Sequence, residues 1–138
     1  MSNLTLPLLP PVPVMPLTAD EKTHIFNSLI AIDKARDLWR PEVQEYVKQA
    51  YIRIWLSLCL DIKVSPLLAA STSASCFQTV LPRFLSAIEK LGLHTRKSVA
   101  EWHVNRIAAE ASAAWQDATI KAQARTSEPA ARPAYKAL

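Results

Sequence analysis

The stretch from Pro41 to Val64, PEVQEYVKQAYIRIWLSLCLDIKV, constrains the fold more than any other because it carries two incompatible periods. From Ile52 to Val64 every even position is apolar, while Arg53, Ser57, Asp61 and Lys63 fall at odd ones, the alternation of a half-buried strand. Over the longer window, Val43, Tyr46, Val47, Ala50, Tyr51, Ile54, Leu58 and Ile62 share one helix face. A strand here needs partner strands for its backbone N–H and C=O groups, and no other segment reads as one. A helix satisfies those groups within itself, and Glu42 and Glu45 stand near its start, where the dipole favours acids. The expectation is therefore a helix, central enough that Ile52, Leu56 and Leu60 are covered off its main face. The alternative is a ribbon completed by a second chain.

Composition narrows the rest. Half of the 138 residues are apolar, enough for one domain with a real core and too few for two. A single glycine, Gly92, leaves little material for tight hairpins, phosphate-cradling loops or dinucleotide fingerprints. Cys59 and Cys76 have neither the density of a disulfide framework nor metal-ligand spacing, and read as two reduced thiols of an intracellular protein. The first 19 residues are uncharged, but they lack a basic start and are interrupted by proline, so they do not read as a signal peptide. Residues 64–82 are also uncharged, yet Pro66, Ser71, Thr72, Ser73 and Ser75 break the run, and no membrane span is expected. These features imply a protein of the cytoplasm or of an intracellular assembly.

Three further helices follow from local signals. Thr18 and Glu21 have capping-box spacing, and Ile25, Phe26, Leu29, Ile30 and Ile32 form an apolar face that should end near Trp39, since Arg40 precedes Pro41. Ser65 and Pro66 suit a short turn before the connector AASTSAS. Phe77, Val80, Leu81, Phe84, Leu85, Ile88 and Leu91 then recur at helical spacing, with Gly92 as the stop and Pro82 as either a kink or the true start. The last helix, from Thr95 or Ser98 to about Arg125, is opened by a second capping box, Ser98 with Glu101. Its stripe of Val104, Ile107, Ala108, Ala111, Trp115, Ala118 and Ala122 is small enough for another helix to approach closely. The expected fold is an all-α, four-helix bundle-like domain over residues 18–125, with an extended proline-rich N-terminal arm over 1–17 and a polar tail over 126–138.

Three regions are candidates for contact with partners: the alanine-rich end of the last helix, part of which should protrude or pack on a neighbour, and two others. In the arm, Pro7, Pro10, Pro13 and Pro16 recur every third residue, the period of a polyproline II helix, and Leu6, Leu8, Leu9, Val12, Val14, Met15 and Leu17 surround them. Such an apolar rod should lie in a groove of its own domain or of a neighbour. The third region is the turn between the last two helices. There Arg96 and Lys97 crowd a helix N-terminus whose dipole already favours anions, so with Thr95 and Ser98 they suit a phosphate. Trp102 and Arg106 follow on the same helix, where they can meet a base or a protein. The net charge of +4 lies wholly in this half, with nine basic against five acidic side chains over residues 65–138.

No catalytic pattern, metal cluster or cofactor motif emerges. His24, His94 and His103 stand in no nucleophile or ligand spacing, and Asp33 and Asp37 are surrounded by Lys34, Arg36 and Arg40 as in a surface ion network. The chain reads as a non-enzymatic assembly protein with itself or another protein as partner and nucleic acid as a second candidate. A helix-turn-helix-like regulator is the alternative, weakened because Ser98 falls where an apolar contact is wanted. A small inhibitor or adaptor of a host protein is the other.

Overall fold

The computed structural model describes residues 6–35, 40–91 and 104–137, with side chains described over 6–32, 40–90 and 104–124. Among the described residues the structure is all-α, with four helices: α1 (Ala19–Ala35), α2 (Pro41–Asp61), α3 (Ser75–Leu91) and α4 (Val104–Ala137), plus a 3₁₀ turn at Leu68–Ala70. Among the described residues there is no strand.

The ambiguous stretch is helical. Arg40 is extended, as the residue before a proline must be, and Pro41 occupies the first helical turn of α2, where its missing N–H is not needed. α2 is the centre of the molecule and packs against α1, α3 and α4. Its buried set includes Val43, Val47, Tyr51, Ile54, Trp55 and Cys59, and also Ile52, Leu56 and Ser57, so three sides are covered. The strand-like alternation is thus the trace of a helix surrounded by neighbours, in which the usual polar face has nearly disappeared. Trp55 anchors the core, with ring centroids 5.4 Å from both Phe77 and Phe84, and Phe84 meets Tyr51 edge-on at 6.0 Å.

The helix ends follow local chemistry. At α1 the capping box is reciprocal: Glu21 N–H donates to Thr18 Oγ1 at 3.1 Å and Thr18 N–H donates to Glu21 Oε1 at 2.9 Å. α2 ends in a Schellman turn, with Lys63 N–H donating to Leu60 O and Val64 N–H to Cys59 O. Lys63 itself takes the left-handed conformation, φ 59°, where glycine is the usual occupant. Ser65 O accepts from Leu68 and Ala69 N–H, so the expected short turn forms. It packs on α3 and α4 through buried Ala69 rather than serving as a bare connector.

Two boundaries differ from expectation or resolve it. Pro82 is not the start: α3 begins at Ser75 and continues through it, with the ring on the exposed side while Phe77, Val80, Phe84 and Ile88 fill the core. α4 does not end near Arg125. Its backbone remains helical to Ala137 through the segment set apart as a polar tail, where Pro129 and Pro133 sit among strong helix-forming alanines.

Candidate interaction surfaces

The arm lies on its own domain. Pro13 and Leu17 are buried, and Leu6, Leu9 and Val12 are partly buried against the core. Two side chains hold its backbone. Arg53 Nε of α2 donates to Pro10 O, and His24 Nε2 of α1 lies 2.7 Å from Leu8 O. Among the described residues the arm from Leu6 to Leu17 makes no backbone–backbone hydrogen bonds, so its carbonyls are available to these donors. Arg53 also donates to Gln49 O at 2.9 Å and Gln49 Oε1 at 3.1 Å, and its acceptors among the described residues are all uncharged. Burial accordingly pulls the guanidinium below its ordinary pKa, an effect that Tyr46 partly opposes. The other half of the arm's apolar side chains face water: Leu8 is 91% exposed and Met15 72%, with Val14 exposed beside it.

On α4, burial is confined to the first part. Val104, Ile107, Ala108, Ala111 and Ser112 are buried, and Ala114 and Trp115 pack partly against the core. Beyond Trp115 no described residue is buried. Ala118 and Ala122 continue the stripe half-buried, and Ile120 on the opposite face is 58% exposed. An ion-pair link joins α4 to α2, with Lys48 Nζ 3.0 Å from Glu110 Oε1 and 3.1 Å from Glu45 Oε1. The hydrogen bond to Glu110, and then that to Glu45, raises the Lys48 pKa.

Of the anion-binding candidates, Thr95, Arg96, Lys97, Ser98 and Trp102 lie outside the described residues. Arg106 is described: it is 71% exposed, and its Nε lies 3.8 Å from Glu110 Oε2, facing a carboxylate that Lys48 already shares. His94, His103 and the side chains of Asp33 and Asp37 also lie outside the described residues. Cys59 and Cys76 are free thiols, and burial pushes Cys59 up to about 12, which keeps it protonated and unreactive. Among the described residues no cluster of His, Cys, Asp or Glu is arranged to hold a metal ion, and no helix is long and apolar enough to cross a membrane.

Leu6, Leu9, Val12 and Leu17 of the expected arm pack on the chain's own core, and Arg53 and His24, which hold its backbone, were not anticipated as its anchors. Comparison with family models, curated proteins and solved structures finds no match to this chain.

Proposed function

We propose that the chain is a non-enzymatic assembly protein: a four-helix, bundle-like domain that displays the distal part of α4 and the outer edge of its arm to other protein subunits. The observation that carries this reading is the loss of burial along α4 after Trp115. The backbone of the helix continues from Gln116 to Ala137, about 33 Å at 1.5 Å per residue, and none of the side chains described there, Gln116 to Ala124, is buried. Most helical stability in proteins comes from packing an amphipathic face, so a helical segment without a buried side chain gains most from a partner. Ala118 and Ala122 prolong the stripe that packs inside the domain, and their small side chains permit close approach of a second helix.

A nucleic-acid role ranks second, because the described member of the basic set, Arg106, is turned toward Glu110. The test is molar mass by light scattering across a range of concentrations. The wild-type mass should exceed that of a monomer and fall to the monomer value in Ala118→Glu/Ala122→Glu, with helix content unchanged. A wild-type monomer at every concentration, with no nucleic acid present, contradicts self-assembly.

A further inference from the structure

We infer that the groove holding the arm is an exchange site, filled in the assembled form by residues Leu6–Pro13 of a second copy. The inference rests on the assembly reading and names a partner segment for it.

The contacts in the groove are of a kind that any copy of the arm can make. Arg53 and His24 reach main-chain carbonyls, Pro10 O and Leu8 O, while Leu6, Leu9, Val12 and Pro13 supply apolar area. The groove also needs an occupant. Arg53 is half-buried, and Gln49 supplies only part of its acceptor set, so an empty groove leaves a poorly solvated cation short of a partner. A segment without internal backbone bonds is suited to fill it, because its carbonyls remain free.

The hinge permits transfer. The chain turns back at Val14–Met15, between Pro13 and Pro16. Met15, within this bend, precedes Pro16, and such residues prefer extended backbone, so a straight path through the hinge is open to the chain. Straightening the hinge carries Leu6–Pro13 to a neighbour while buried Leu17 and the Thr18 cap stay with α1. Reciprocal exchange keeps every groove contact, so the balance is set by the hinge and by chain concentration. Val14 and Met15, apolar and exposed in the single chain, would lie side by side where two hinges cross.

Mixed cross-linking tests this in a Cys76→Ser background, with Cys59 left in place because it is buried. One preparation carries Pro11→Cys on the arm, and a second, lengthened by a C-terminal tag, carries Gln49→Cys beside Arg53. A short bismaleimide is added to the mixture, and Ser86→Cys, exposed on α3, replaces Gln49→Cys as the collision control. Exchange predicts a mixed product at least about tenfold above the control, rising with chain concentration toward about 1 mM, the order of the effective concentration of a short tether. Inserting Gly-Ser-Gly between Val14 and Met15 should lower it several-fold by easing the return of the arm to its own chain. A mixed yield no higher than control overturns exchange if Pro11→Cys/Gln49→Cys on one chain closes within that chain. Failure of that double variant to close overturns the groove itself. If either failure occurs while wild-type mass still falls on Ala118→Glu/Ala122→Glu, exchange is wrong and assembly through α4 stands.

Discussion

α2 and α4 are both long helices, yet they serve opposite ends. α2 is covered on three sides from Ala50 to Cys59 and ends in a defined Schellman turn, whereas α4 enters the core at Val104 and has no buried side chain from Trp115 to Ala124, although its backbone stays helical to Ala137. One helix is enclosed by the domain. The other begins there and loses its burial after Trp115. The contrast shows that burial rather than length separates the part of a helix that holds the core from the part that does not.

The sharpest way to break that contrast is to truncate the two tryptophans. Trp55, fully buried between Phe77 and Phe84, should cost about 4 kcal/mol as Trp55→Ala, seen as a large fall in the urea midpoint. Trp115→Ala, at the core's edge, should cost about 1 kcal/mol. Equal losses would mean that α4 is as enclosed as α2.

Within α4 the same division should appear at alanines. Ala111→Leu overfills a buried site and should cost about 2 kcal/mol, while Ala118→Leu should stay within about 0.5 kcal/mol of wild type in the monomer and act on molar mass instead. At the end of α2, Lys63→Gly should stabilise by about 0.5 kcal/mol, because glycine relieves the left-handed strain at φ 59°. A loss there would show that the turn is not the terminator described.

The smallest effect concerns the link between the two helices. Glu110 and Glu45 raise the Lys48 pKa, so its folded value lies above its unfolded one. The resulting stability is fully present below the ordinary lysine value of about 10.4 and is lost as pH rises through the raised value. Lys48 is partly exposed, so the difference in stability between wild type and Lys48→Met should be about 0.3 kcal/mol at neutral pH and shrink toward zero in strong alkali. A difference independent of pH would assign the residue's role to its aliphatic stem.

How much of this was legible beforehand varies with the range of the interactions. The capping box at Thr18, the break at Arg40–Pro41 and the apolar face of α3 are local, and each appears as expected. The choice of helix over strand for α2 was also legible, since a chain with no second strand must satisfy its backbone locally. The end of α4 was not: prolines at 129 and 133 look like stops, and the helix continues through them. The arm's anchoring was half-legible. Its apolar residues announced a groove, but Arg53 meets Pro10 across 43 positions of sequence through a side chain and a carbonyl, a pairing with no periodic signature. One signal was available: Arg53 is the only charged residue between Lys48 and Asp61, and a lone charge in an apolar run needs acceptors from somewhere.

Native-state hydrogen exchange, read along α2 and α4 at low and high protein concentration, tests the central contrast most directly. The account predicts that amides from Tyr51 to Leu58 exchange only by global unfolding at both concentrations. Amides beyond Trp115 should exchange quickly when dilute and be protected about tenfold or more when concentrated. Strong, concentration-independent protection along the whole of α4, or rapid exchange within Tyr51–Leu58, would contradict it.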